Sequence, residues 1–263
     1  MHVLSVSSFK GGVGKTTITL GLASAAFAAG LRTLVVDLDP QADASTGLGV
    51  RPGGRASIAD VLTHPKLTIV RKAISPSGWS IPNHAPVDVL VGNPSAQHFD
   101  TPHPSAREVW RLEEALATIE SEYDLVLIDC PPSFNALTRT AWAASDRVLI
   151  VTEPGLFSVA ATDRALRAVE DLRRGLSPRL ATMGIVLNRV RTQSLEHQYR
   201  MEEIRGMFGP LVLASFLPER TSIQQAQGAA RPVHAWPGEA AQEMARAFDA
   251  LLDRVIQTGR IRY

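Results

Sequence analysis

Apolar residues fall into short unbroken runs separated by amphipathic stretches. Val3-Leu4-Ser5-Val6, Thr33-Leu34-Val35-Val36-Asp37, Val87-Asp88-Val89-Leu90-Val91 and Leu125-Val126-Leu127-Ile128-Asp129 all have strand length. So do Arg147-Val148-Leu149-Ile150-Val151-Thr152, Gly184-Ile185-Val186-Leu187-Asn188 and Leu211-Val212-Leu213-Ala214-Ser215. Near-continuous apolar runs predict strands buried on both faces. Helical patterns occupy 16–29, stopped by Gly30, and 57–62, with Ser57 as cap. They recur over 105–121, where Val109, Leu112, Leu116 and Ile119 share one face, and over 136–144, 159–175, 196–208 and 240–256, the last stopped by Gly259. Residues 47–54 and 92–104 read as loops, and 63–86 show no assignable pattern.

Strands alternating with helices predict an α/β fold: a mostly parallel central sheet with helices on both faces. Ligands bind such sheets at the carboxyl ends of the strands. Asp37, Asp129 and Asn188 fall at such ends. Neither repeats nor a linker interrupt the pattern, so one domain over 1–263 is expected.

Composition adds exclusions. Of 263 residues, 45% are hydrophobic and 20% charged, as in ordinary globular chains, and the net charge of +1 gives no global basic field. The one cysteine, Cys130, excludes an intrachain disulfide and a cysteine-rich metal site. A reducing, cytosolic setting is expected. No signal segment and no membrane-spanning run of about 18 apolar residues is expected.

The chemistry concentrates at Ser7-Ser8-Phe9-Lys10-Gly11-Gly12-Val13-Gly14-Lys15-Thr16-Thr17, between the first strand and the first helix. It ends like a phosphate loop, G-x-x-x-x-G-K-[ST], but Phe9 stands where the first glycine belongs. Gly11, Gly12 and Gly14 let backbone N–H groups close around phosphate oxygens, and the following helix aims its N-terminus at them. Lys15 is expected to reach the β/γ-phosphates, and the Thr16 hydroxyl can ligate Mg²⁺. Only four lysines occur in the chain, and two of them, Lys10 and Lys15, share this loop. An ammonium differs from a guanidinium as a phosphate ligand, so lysine reads as chemically required at both positions.

Lys10-Gly11-Gly12-Val13-Gly14-Lys15-Thr16-Thr17 resembles the deviant Walker A box of the ParA/MinD ATPases, whose hallmark is the early lysine. Val36-Asp37-Leu38-Asp39-Pro40-Gln41 is similar to that family's D-x-D-P-Q segment, and Leu127-Ile128-Asp129-Cys130-Pro131-Pro132 to its Walker B strand. Leu217-Pro218 matches its late turn. The resemblance implies a P-loop NTPase fold, ATP and Mg²⁺ as cofactors, and a two-fold dimer with ATP between the copies. It implies that Lys10 reaches the partner's nucleotide while Lys15 serves its own, that Asp39 orients the attacking water, that Asp37 supports the magnesium shell or the switch loop, and that Asp129 holds Mg²⁺ through water. Asn188 and Pro218 are then expected near the base. Cys130 reads as a small buried spacer.

ParA-type members of that family bind DNA without sequence preference as ATP dimers and are released by a partner that stimulates hydrolysis. The resemblance thus implies a nucleoid-associated partition or cargo-positioning ATPase with a ParB-like partner. DNA candidates are Arg189, Arg191 and Arg220, together with Arg200, Arg205 and Arg231. The family's late segment often reads Pro-Arg-Asn-Val-Arg; here Glu219 and Ser222 replace its arginines. The glycine loop starts near residue 10, so no N-terminal helix-turn-helix is expected. MinD-type members bind membranes through a C-terminal amphipathic helix. The present helix carries Met244, Phe248, Leu251, Leu252 and Val255 on one face with mixed charges elsewhere, which favours packing on the sheet over a membrane surface. A third reading is an ATP-dependent amide-forming synthetase, for which no substrate motif is visible.

Overall fold

The computed structural model describes residues 1–50, 56–80 and 86–259. Part of the expected loop at 47–54 and the tail 260–263 lie outside them.

Seven strands follow the predicted runs: β1 (His2–Ser7), β2 (Thr33–Asp37), β4 (Asp88–Leu90), β5 (Leu125–Asp129), β6 (Arg147–Thr152), β7 (Ala181–Val190) and β8 (Val212–Pro218). With β3 (Ile74–Pro76) they form one sheet in the order β3-β4-β2-β5-β1-β6-β7-β8. All neighbours are parallel except β3 with β4. The strand pattern explains the layering, because successive side chains leave opposite faces. Leu4, Val35 and Leu127 enter one core, shared with α1 (Lys15–Ala28), α9 (Thr221–Gly228) and α10 (Glu239–Gly259). Val3, Leu34, Val36, Val126 and Ile128 enter the other, shared with α3 (Ile58–Thr63), α4 (Leu67–Ala73), α5 (Ala106–Ala117), α6 (Ala136–Ala143) and α7 (Ser158–Gly175). Two further helices are α2 (Asp43–Gly47) and α8 (Leu195–Phe208).

Two helix ends follow their sequence signals, whereas α5 stops at Ala117, short of the expected 121, and α10 runs through Gly259, the expected stop. Gly30, at φ 71°, ends α1, its N–H bonding the Phe27 carbonyl while Leu31 bonds Ala26. Ser57 precedes α3, and the Asp60 carboxylate accepts from both its N–H and its hydroxyl. α4 and β3 lie within 63–86, where the sequence shows no assignable pattern. The strand expected to end at Asn188 continues two residues further, to Val190.

The apolar face of α10 is consumed by the fold. Met244, Phe248, Leu251, Leu252 and Val255 are all buried. A Cβ on Gly21 of α1 would lie 2.0 Å from the Phe248 ring, so glycine there lets the two helices meet. No helix among the described residues is long and apolar enough to cross a membrane.

Candidate nucleotide site

The loop between β1 and α1 crosses the carboxyl edge of the sheet. Gly12 and Gly14 have φ of 77° and 91°, conformations that favour glycine. A Cβ on Gly14 would also meet the Asn188 amide nitrogen at 2.3 Å. That amide donates to the Val13 carbonyl at 2.8 Å, so Asn188, from β7, clamps the loop. Gly11 is different: its φ is not positive and nothing lies within 4 Å of a Cβ placed there.

Lys15 is buried, whereas Thr16 and Thr17 are half-buried at the first turn of α1. The Thr16 hydroxyl donates to Asp129 Oδ2 at 2.7 Å, and Thr19, one turn on, donates to Oδ1 at 3.0 Å. Asp129 is paired in register with Asp37 across β5 and β2. Asp37 Oδ2 accepts from the N–H and the hydroxyl of Ser45, both at 2.7 Å, while Oδ1 has no hydrogen-bond partner. Asp37 thereby ties α2 to the site. Asp39 is half-buried and accepts from the Gln41 N–H at 3.0 Å.

This donor set fits a magnesium nucleotide. Its oxygens come from a hydroxyl and carboxylates, the hard ligands Mg²⁺ prefers, and Asp37 Oδ1 is buried with its lone pairs unused. Among the described residues no three His, Cys, Asp or Glu side chains are placed to hold a metal unaided. Mg²⁺ commonly completes its shell with phosphate oxygens and water. Burial pushes the Cys130 thiol up to about 12, as suits an inert spacer.

Burial weighs on the two strand-end carboxyls. Burial, reinforced by Asp129, pushes Asp37 up to about 7 against the hydrogen bonds of Ser45. Burial also raises Asp129 to about 6, opposed by Thr16, Lys15 and Thr19. Unfolded, both titrate near 3.8. From about pH 4 to about pH 7 the folded chain therefore holds more protons than the unfolded one, and its stability falls as pH rises through that window. The melting temperature of nucleotide- and metal-free protein should drop between about pH 4 and about pH 7. Asp37→Asn should flatten that fall; a rise across the window would contradict the assignment.

Several residues reach the site without a sequence signal. Phe9 stacks on Trp142 (5.8 Å, 15°) and meets Phe134 at 5.2 Å, so the missing first glycine is an aromatic anchor for the start of the loop. Asp100, in the segment read as loop, accepts from Ser133, Asn135 and the Leu137 N–H, fixing the segment after Asp129 and capping α6. Glu153, just past β6, meets Lys10 Nζ at 3.6 Å and Arg189 Nη1 at 3.0 Å.

A cleft of about 480 Å³ opens at the ends of β7 and β8, lined by Val190, Arg191, Thr192, Gln193, Ser194, Glu219 and Arg220. Pro218 is buried beside it, paired with Val190. Arg191 pairs with Glu219 and Arg220 with Glu243, whereas Arg189 faces the phosphate loop. Of the other arginines, Arg200 and Arg205 pair with glutamates of their own helix.

A glycine loop entering a helix, a buried lysine and a strand-end aspartate joined to the loop threonine define a P-loop nucleotide-binding protein. Residues 1–182 match the model described as an AAA domain. The chain is 35% identical over 242 residues to the chromosome partitioning protein ParA of Caulobacter vibrioides, covering 89% of this chain and 86% of that protein. Among solved structures it is similar to cobyrinic acid a,c-diamide synthase from Mycobacterium smegmatis with bound ADP and magnesium (TM-score 0.81, 23% identity, 99% and 96% of the two chains). It is also similar to the cell division ATPase MinD of Pyrococcus furiosus (TM-score 0.76, 25% identity, 97% and 98%). The chain belongs to the ParA/MinD family of P-loop ATPases.

Proposed function

We propose that this protein is a partition or cargo-positioning ATPase that pairs with a second copy around Mg²⁺-ATP, binds DNA without sequence preference in that state, and lets go after hydrolysis to ADP and phosphate. The observation that carries this is the exposed front of the phosphate loop. Gly11 has no reason within the chain to be glycine, and Lys10 stands beside it, distinct from the buried Lys15. An exposed glycine edge with a lysine beside it suits the close approach of another subunit and its triphosphate. Leu156 and Phe157, 61% and 75% exposed, stand just past Glu153 and supply apolar surface for the same contact.

In this reading Lys15, the loop amides, Thr16 and Thr17 hold the phosphates. Thr16, Asp129 and Asp37 would hold Mg²⁺, which would screen phosphate charge. Asp39 orients the attacking water. Asn188 keeps the loop in its binding shape, and Pro218 walls the cleft that receives the base. Arg191 and Arg220 offer phosphate contacts to DNA in exchange for their glutamate partners, with Arg189 at the inner edge of that surface. Each contact counts twice in a dimer. A ParB-like protein is the expected activator, and a cytoplasmic, nucleoid-associated location follows. The likeness to a partition ParA over most of both chains supports the reading, and the domain acts as one unit over 1–263.

The MinD-like alternative requires a free apolar helix face, and α10 has buried its own. The amide-synthetase alternative rests on fold likeness alone. The test is retention on nonspecific DNA and on anionic vesicles, with Mg²⁺-ATP or ADP, side by side with turnover. DNA retention with ATP only, and none on vesicles, is expected. ATP-dependent vesicle binding without DNA retention would overturn the proposal.

A further inference from the structure

We propose that Glu153 is an internal restraint on Lys10, a carboxylate that must release the lysine before two copies can close on ATP. The inference rests on the dimer reading above and adds its regulation.

The sheet order creates the device. β6 lies between β1, which leads into the phosphate loop, and β7, which carries Arg189. Glu153, the first residue after β6, therefore stands between the two cations. Its Oε2 is 3.6 Å from Lys10 Nζ, and its Oε1 accepts from Arg189 Nη1 at 3.0 Å. The same Nη1 donates to the Gly12 carbonyl at 2.7 Å. Arg189 has a left-handed backbone, φ 53°, which is uncommon for a residue other than glycine. That kink lies between Asn188, which clamps Val13, and Val190, which pairs with β8. Both ends of the segment are thus held, and the Arg189 guanidinium meets the loop. The result is a closed circuit: Gly12 to Arg189, Arg189 to Glu153, Glu153 to Lys10, and Lys10 back to Gly12 along the chain.

A lysine that serves a neighbour's triphosphate cannot keep this partner. The carboxylate acts twice against closure, by holding the ammonium and by presenting negative charge to the incoming phosphates. Both effects fade once Lys10 has crossed, because a triphosphate is the stronger counter-charge. Glu153 therefore keeps single copies apart at low nucleotide and leaves the closed pair little changed. Each half-exposed ion pair is worth about twofold to fivefold in an equilibrium constant. A two-fold dimer breaks two of them, so removing the charge should tighten dimerisation by about tenfold.

The test uses Glu153→Gln, which keeps shape and hydrogen bonding, with Glu153→Asp as the control that keeps the charge. Dimerisation is titrated by sedimentation in a slowly hydrolysed ATP analogue and Mg²⁺. A dimer constant about tenfold tighter in Glu153→Gln, and nearer wild type in Glu153→Asp, is expected; loss of a merely structural contact would not strengthen association. An unchanged or weaker dimer overturns the proposal. Amide hydrogen exchange of nucleotide-free protein decides independently of dimer formation: residues 10–12 should exchange faster in Glu153→Gln, and unchanged protection there overturns the restraint. A wild-type protein that stays single with the analogue would instead remove the dimer reading, while the exchange result still judges whether Glu153 holds the loop.

Discussion

Lys10→Ala is expected to leave a protein that binds Mg²⁺-ATP within about tenfold of wild type but does not pair or stay on DNA. The expectation follows from the different places of the two lysines. Lys15 is buried and Lys10 is half-exposed at the front, so the proposal gives the first to the chain's own phosphates and the second to a partner's. Charge-assisted hydrogen bonds to phosphate are worth about 1.5–3 kcal/mol each. A symmetric pair loses two, so its association should weaken by at least about 100-fold. Hydrolysis should fall with it, since a cation supplied across an interface contributes about 10³–10⁵ in turnover in related phosphoryl transfers. Titration with a fluorescent ATP analogue, run beside DNA retention, separates these effects. Equal loss of nucleotide affinity and pairing would show that Lys10 serves its own subunit.

Asp39→Ala should produce the complementary defect, a pair that forms with ATP and does not come apart. Asp39 is half-buried just beyond β2, and its carboxyl is raised chiefly by burial, with the Gln41 N–H opposing. Lys15 lies near enough to act on it electrostatically. A raised carboxyl at the phosphate end is suited to accept a proton from attacking water. Losing it should cost about 10²–10⁴ in turnover. ATP affinity and DNA retention should persist, with release from DNA slowed in proportion. Single-turnover hydrolysis measured with DNA release checks this. Loss of nucleotide binding would instead give Asp39 a structural role in the loop after β2.

The parts of the site that could be read in the sequence are those where residue type alone dictates chemistry. Gly-Lys-Thr between a strand and a helix has few other uses, and an aspartate ending a fully apolar strand is placed by the strand itself. The rest depends on which strands become neighbours. Thr19 looks like any residue of α1 until β5 lies beneath it and brings Asp129 within reach. Glu153 follows an unremarkable strand, and only the order β1-β6-β7 sets it between Lys10 and Arg189. Asn188 has the side chain of a base reader, yet one of its donors is committed to Val13. Phe9 registers only as a departure from a motif until Phe134 and Trp142 surround it. Short, weakly patterned elements leave no periodicity to read. β3 has three residues, and α9 offers only Ile223 and Ala226 as buried apolar positions.

The most direct test of the central claim is the mass of the protein in solution with and without Mg²⁺-ATP, measured by light scattering on the hydrolysis-impaired Asp39→Ala background. One copy weighs 28.4 kDa. The mass should double with ATP, stay at one copy with ADP, and stay at one copy with ATP once Lys10→Ala is added. A species that keeps the mass of one copy at saturating ATP, or a doubled species indifferent to Lys10, would contradict the claim that buried triphosphate holds two copies together.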